Sequence, residues 1–338
     1  MSKRSTVYHN DITKDYDKVN EKNRKLVKQF LQYLKSNDKS PQTVSQYENW
    51  LKIFFCWNYL ENEDKFFVDL KRRDFVSYFG YLRDLDASSS RIASLKSALS
   101  ALSNEIELLF EDEYPQFKNQ LRSLEAIHIT RVREKTVLSN EDLVRILNQL
   151  VEKKQYEAAC YLALVCASGS RKAELLQMKV DFFTPQNEVF DGYMYATPPI
   201  RAKGRGKEGK RIKKYVIKEA FKPYFDLWME ERARLGIDCE YLFTTVKFKK
   251  YVPATVSTAN TMARIISEVG GVDFYTHSGR HFFATLLKRK NFPDDIVVQI
   301  FNWADSSMIK IYNDIPPEEY MQDFFRGFLQ KEAKGETK

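Results

Sequence analysis

Between Glu21 and Lys35 the residues Leu26, Phe30, Tyr33 and Leu34 recur every three or four positions, with polar and charged residues between them. That spacing lays one apolar stripe along a helix. The pattern returns after Ser40-Pro41, where Val44, Tyr47, Leu51, Phe54 and Phe55 share a face, and again across Lys71–Leu85 through Phe75, Tyr78, Phe79 and Leu82. Ser followed by Pro is a start signal: the hydroxyl caps a free amide, and proline has no N–H to leave unpaired at the first helical position. Ser88-Ser89-Ser90 opens a fourth helix carrying Ile92, Leu95, Leu99 and Leu102. Four amphipathic helices joined by short loops predict a compact bundle over residues 21–124, preceded by a flexible polar segment at 1–20.

From Glu125 the periodicity fades, and residues 125–136, with Arg131, Arg133 and Lys135, read as a linker. Ser139 restarts helix formation, and Asp142 three residues later gives a partial capping box. Tyr156–Ala167 is strongly apolar, as befits a helix inside a second core. Glu188–Tyr195 and Arg211–Ile217 alternate, or are β-branched enough, to be strands. Between them, Arg201 to Lys210 sets three glycines among basic residues, which predicts a small β-hairpin with a flexible basic turn. Helices are expected again at Glu219–Leu235, Thr255–Val269, Thr276–Lys290, Asp294–Trp303 and Ser306–Asn313. The expected fold class is mainly α: an N-terminal helical bundle, then a mostly helical domain at 137–317 with a small β-hairpin or sheet. In the remaining 318–338, Tyr320, Met321, Phe324, Phe325 and Phe328 predict a helix over Glu318–Lys331 whose stripe needs a partner surface.

Composition changes the picture in one respect. With 43% hydrophobic residues the chain can fill two cores, but 54 Lys and Arg against 46 Asp and Glu leave a net charge of +8. An excess of cations points to a polyanionic partner, nucleic acid or a membrane surface. No run of about 18 apolar residues is present, and Met1–Asn20 lacks the apolar stretch of a secretion signal, so a membrane role is not expected. Cys56, Cys160, Cys166 and Cys239 form no C-x-x-C pair, and three of them sit in apolar runs. They read as buried hydrophobes of a reducing compartment, cytosolic or nuclear.

Several residues carry possible chemistry. Ser168-Gly169-Ser170 breaks the apolar helix, and Arg171 and Glu174 then share a helical face, as a plain surface ion pair also would. His277 and Arg280 fall in the first turn of a helix, where anions are favoured. Trp303 precedes Tyr312 by nine residues in Asn-Trp-Ala-Asp-Ser-Ser-Met-Ile-Lys-Ile-Tyr. Singly, each has a bland explanation in ion pairing or core packing. Their order is more telling: an Arg, a basic hairpin, His-x-x-Arg, an aromatic and a Tyr.

That order resembles the tyrosine recombinase (phage integrase) family, with Arg-Lys-Ala-Glu at 171–174, Thr-His-Ser-Gly-Arg-His-Phe-Phe-Ala-Thr at 276–285 and the Trp303–Tyr312 segment. The bundle is also similar to the family's core-binding domain, notably at Ser-Pro-Gln-Thr-Val-Ser-Gln-Tyr-Glu-Asn-Trp-Leu. The resemblance implies a site-specific recombinase that cuts and rejoins DNA through a 3′-phosphotyrosyl intermediate. It implies Tyr312 as nucleophile, Arg171 and Arg280 as a phosphate clamp, His277 as an acid/base aid, Trp303 packed under the site and Glu174 orienting the cations. The leaving-group acid it implies is a hairpin lysine: Lys203 fits the common Lys-Gly start of the turn, with Lys207 and Lys210 as alternatives. Arg201, Arg205, Lys207, Lys210 and Arg211 would track the DNA backbone. No metal or cofactor is implied. The implied partner is duplex DNA with a specific site, gripped by a C-shaped clamp of two domains. Four protomers would act on two sites, with the C-terminal helix either exchanged between them or packed on its own domain. A cytoplasmic or nucleoid-associated location follows, nuclear in a eukaryotic or viral host. A type IB topoisomerase or telomere resolvase would share the chemistry, and a catalytically silent DNA-binding relative the fold.

Overall fold

The structure, a computed structural model, describes residues 13–130, 136–202 and 209–316, together with Glu318 and Met321. Its described residues form two compact units, one from those up to 130 and one from those after 135.

The first unit is built on α1 (Glu21–Ser36), α2 (Pro41–Glu61), α3 (Arg72–Asp84) and α4 (Ser89–Leu109). Asn20, Ser40 and Ser88 each accept a hydrogen bond from the amide three residues ahead, capping α1, α2 and α4. Such caps stabilise a helix by about 1 kcal/mol each. The core centres on Phe54, whose ring meets those of Phe55, Trp57, Phe67, Phe75 and Tyr78. Buried polar side chains fix the link after α2. Asn23 Nδ2 and Asn58 Nδ2 donate to the Lys65 carbonyl at 2.9 and 2.8 Å, and Asn23 Oδ1 accepts from the Phe67 amide at 2.9 Å.

In the second unit α5 (Asn140–Glu152) precedes α6 (Tyr156–Ser168), and every residue of α6 from Ala158 onward is buried. A helix apolar on all faces must be covered on all faces. The cover is α5, α8 (Lys218–Leu235), α9 (Val256–Gly270) and α10 (Thr276–Arg289). Close approach of α10 needs Gly279, since a β-carbon there would lie 2.6 Å from Val165 Cγ1. The short α7 (Lys172–Leu175) follows α6, and α11 (Asp294–Phe301) and α12 (Ser307–Tyr312) follow α10.

The strands depart from the sequence reading. Glu188–Tyr195 is not one strand but a hairpin, β1 (Glu188–Val189) and the start of β2 (Met194–Ala196), because Phe190, Asp191 and Gly192 turn with positive φ. Asp-Gly is a strong hairpin-turn pair that outweighs the alternation around it. Arg211–Ile217 also divides. β4 (Lys210–Ile212) pairs with β3 (Ile200–Ala202), whereas β5 (Tyr215–Ile217) completes a three-stranded antiparallel sheet with β1 and β2. A further hairpin, β6 (Thr244–Lys247) with β7 (Lys250–Pro253), was not anticipated. Its turn residues Phe248 and Lys249 take positive φ without the Gly or Asn that announces such turns. The architecture is nonetheless mainly α with small antiparallel sheets, as expected. Lys203, Arg205 and Lys207, residues 131–135 of the expected linker, and the expected C-terminal helix apart from Glu318 and Met321 lie outside the described residues.

Candidate active site

The end of α6 sets the first part of the site. Gly169 caps it at φ 57°, and a β-carbon there would stand 2.5 Å from the Phe301 ring and 2.8 Å from that of Phe283. The chain then turns into α7 with Arg171 at the cap position. Glu174 is 1% exposed, so the Arg171–Glu174 pair is not the surface ion pair that spacing alone allows. Its carboxylate accepts from the Arg171 backbone N–H at 2.8 Å and from Arg171 Nη1 at 2.9 Å. Burial works to raise the Glu174 pKa, but the charge of Lys214 and the bonds from Arg171 prevail and hold it below the ordinary value. Arg171 keeps a partly exposed guanidinium, aimed by a fixed carboxylate.

Arg280 supplies the second guanidinium, fully buried on α10. Its Nη1 donates to the Gly169 carbonyl, while Nε and Nη2 make no hydrogen bond of good geometry; the Tyr312 hydroxyl interacts with the guanidinium more loosely and works to raise its pKa. Burial first, then the Arg171 charge, pulls its pKa down to about 10. Three rings surround it, with Phe301, Trp303 and Tyr312 centroids 4.6, 5.5 and 5.2 Å from Cζ. These rings also stack in series, Phe301 on Trp303 at 4.3 Å and Trp303 on Tyr312 at 5.3 Å. Trp303 is buried, and its indole Nε1 likewise has no partner. Buried donors without acceptors are rare and costly in folded proteins. Three such atoms at one place describe a socket for an anion.

Tyr312 ends α12 against this socket. His277, in the first turn of α10, has its ring 6.5 Å from that of Tyr312. The residue is exposed, yet its ring is crowded enough that desolvation lowers its pKa, followed by the charges of Arg280, His281, Arg171 and Lys172. Its neutral form is thereby favoured, which leaves a ring nitrogen able to accept a proton. Two contacts missed in the sequence hold the Tyr312 segment to α10. The Asp314 amide donates to Thr285 Oγ1 at 2.9 Å, and His281 Nδ1 lies 3.4 Å from Asp314 Oδ2.

The β3–β4 stem is anchored beside Arg171. Gln177, three residues after Glu174, accepts from the Arg201 amide at 3.0 Å and donates to the Arg201 carbonyl at 2.8 Å. Arg201, Lys210 and Arg211 are exposed, as backbone-tracking cations would be. The sequence reading missed Lys214, which is fully buried with Nζ 3.8 Å from Glu174 Oε2. A period-two signal was available: Ile212, Lys214 and Val216 form the inward set, and Arg211 and Lys213 face outward. Among the described residues no group of three or more His, Cys, Asp or Glu is placed to hold a metal ion.

The site thus unites Arg171, Glu174, His277, Arg280, Trp303 and Tyr312 around unpaired donors, with a phenol at the rim. Such a socket suits attack of the phenol on a phosphate. The profile of the Phage integrase family matches residues 136–319, and that of the Phage integrase, N-terminal SAM-like domain matches residues 26–112. The chain is 35% identical over 234 residues to the SPbeta prophage-derived recombinase-like protein YomM of Bacillus subtilis (strain 168), covering 68% of this chain and 67% of that protein. It is 24% identical over 285 residues to the TnP I resolvase of Bacillus thuringiensis, covering 84% and 92% of the two. In fold it is similar to the Tn1549 transposon integrase in complex with circular intermediate DNA (TM-score 0.65, 14% identity, 88% and 98% covered). It is also similar to a lambda integrase dimer bound to a COC′ core site (TM-score 0.62, 15% identity, 86% and 77% covered).

Proposed function

The chain belongs to the phage integrase family and is a tyrosine-type site-specific DNA recombinase, and from that premise we propose that Tyr312 is its nucleophile and that Arg171, Arg280 and Trp303 hold the phosphate it attacks. One observation carries this reading: Arg280 Nε, Arg280 Nη2 and Trp303 Nε1 are buried without partners beside the Tyr312 ring.

The mechanism follows from those groups. A phosphodiester is already anionic, and charge grows on its nonbridging oxygens as the phenol attacks. Forked guanidinium donors stabilise that growth, and preorganised donors of this kind contribute several kcal/mol to a rate. Tyr312 Oη bonds to phosphorus, its proton passing toward neutral His277. The bond from phosphorus to the 5′-oxygen breaks, and that oxygen takes a proton from the turn lysine, for which Lys203 is our choice over Lys207 and Lys210. The phosphotyrosyl bond conserves the energy of the broken linkage, so a 5′-hydroxyl from a second strand reverses the step without another energy source.

Duplex DNA carrying a specific recombination site is the partner, bound by a tetramer across two sites. We assign a DNA-binding role to the first unit, over 21–124, and, within the catalytic unit, to Arg201, Arg205, Lys207, Lys210 and Arg211 on the phosphate backbone. A cytoplasmic or nucleoid-associated location suits that substrate, nuclear in a eukaryotic or viral host. A nicked suicide substrate tests the proposal: wild type should form a shifted covalent protein–DNA band, and Tyr312→Phe should bind the DNA but form none. A covalent band with Tyr312→Phe would refute it.

A further inference from the structure

The catalytic unit holds one more charged group that the mechanism above leaves unused. Lys214 has no solvent exposure. It lies between β4 and β5, and its backbone is tied to one residue in both directions. Thr197 N donates to the Lys214 carbonyl at 2.9 Å, and Lys214 N donates to Thr197 Oγ1 at 3.0 Å. Its ammonium is 3.8 Å from Glu174 Oε2 and 5.9 Å from the Phe301 ring centroid, with no acceptor at hydrogen-bond distance. Burying an ammonium without full pairing costs several kcal/mol, and an apolar residue of like size would remove that cost. Packing alone does not explain a lysine here.

Two features of its surroundings do. The first is charge. The groups that face Lys214 are Glu174 and Arg171 at α7 and Arg280 on α10, with the Phe301 ring from α11. One acid against three cations leaves an excess of two positive charges. A bound phosphodiester carries one negative charge, and attack by a phenolate brings the total to two. The excess therefore matches the transition state better than the ground state, which is the condition for catalysis. The second is attachment. Glu174 and Gln177 stand three residues apart, and both grip the β3–β5 region, Gln177 through the Arg201 backbone and Glu174 through Lys214. The stem is thereby fastened at β3, and just past the end of β4, to the segment that aims Arg171.

We propose that Lys214 is a positioning residue for strand cleavage: its buried ammonium seats Glu174, and through Glu174 it sets both the aim of Arg171 and the placement of the β3–β4 stem. It is distinct from the proton-donating lysine of the turn. The proposal rests on the reading of Arg171 and Arg280 as the phosphate clamp. Burial, opposed by Glu174 and reinforced by Arg280 and Arg171, lowers the Lys214 pKa to about 8. Its charge is thus full below that value and lost as pH rises through it.

The test uses the full chain and two nicked suicide substrates, one with the natural 5′-oxygen at the scissile phosphate and one with a 5′-bridging sulfur, which leaves without a proton. Lys214→Met is compared with wild type after a thermal melt confirms folding. It should bind half-site DNA normally and cleave both substrates on the order of 10–100-fold more slowly, the usual loss when a group that orients a reacting residue is removed. On the sulfur substrate, wild type should lose rate as pH rises past about 8, and Lys214→Met should show no such fall. If Lys214→Met fails to fold, Lys214→Gln, which keeps a polar head beside Glu174 and leaves Glu174 in place, is used instead and should show the same slow cleavage of both substrates. Wild-type rates in the folded variant overturn the proposal. Rescue by sulfur alone also overturns it, since that result makes Lys214 the proton donor. Failure of the clamp reading is seen separately, as unimpaired cleavage by Arg280→Ala whatever Lys214→Met does.

Discussion

Replacing Arg280 with Met separates catalysis from stability. Methionine fills comparable space with a flexible apolar chain. The Arg280 pKa of about 10 compares with an ordinary guanidinium value above about 12. The fold therefore disfavours the charged form by on the order of 3 kcal/mol at neutral pH. The folded value lies below the unfolded one, so this cost is full below about 10 and fades only as pH climbs toward the unfolded value. Against it stand the hydrogen bond to the Gly169 carbonyl, about 1.5–3 kcal/mol for a charged donor. Each ring contact adds about 0.5–1 kcal/mol. The gains equal the cost or exceed it by up to about 3 kcal/mol. Arg280→Met is expected to melt less than about 10 °C below wild type, because 1 kcal/mol moves a unit of this size by roughly 2–4 °C. Cleavage of the suicide substrate should nevertheless fall about 10²–10³-fold, since the donors free for phosphate are gone. Inorganic phosphate or sulfate should raise the wild-type melting temperature more than the variant's, because a ligand of the folded state stabilises it by mass action. A melting temperature lowered by about 10 °C or more, with cleavage within about tenfold of wild type, would show that Arg280 is a structural residue.

Gly169→Ala should lower stability by about 2–4 kcal/mol and slow cleavage as well, because the new methyl strains a positive φ and drives Phe301 from its stack on Trp303; unchanged melting and cleavage would contradict this packing. Because the His277 pKa is lowered, the acid limb of the cleavage pH profile should lie on the acid side of the ordinary histidine range, and His277→Gln should abolish that limb; an unaltered limb in the variant removes His277 from proton transfer. Lys203→Ala should cleave the oxygen substrate poorly and the 5′-sulfur substrate well; sulfur rescue seen instead with Lys207→Ala or Lys210→Ala would move the proton donor within the turn.

The helices were legible because each carries its own evidence. Ser40-Pro41, Ser88 and Ser139 cap where a hydroxyl next to an apolar stripe should. The strands were less legible, since segments of two to four residues are decided by turns and neighbouring strands. Asp191-Gly192 announces its turn, whereas Phe248-Lys249 gives no such signal. At the site, motif order brought out Arg171, Glu174, His277, Arg280, Trp303 and Tyr312, and the structure gathers all six. Lys214 escaped because lysine on a basic hairpin reads as solvated, and only the period-two register shows that it points inward. His281 and Thr285 act through the chain beyond Tyr312, a contact that no local pattern encodes.

The central claim is covalent chemistry at one tyrosine, and mapping the adduct tests it most directly. Wild-type protein trapped on a nicked suicide substrate is digested with nuclease and protease, and the peptide retaining a nucleotide is sequenced by mass spectrometry. A 3′-phosphonucleotide is expected on Tyr312 within Ile-Lys-Ile-Tyr-Asn. A nucleotide on Tyr320, or on any residue other than Tyr312, would contradict it.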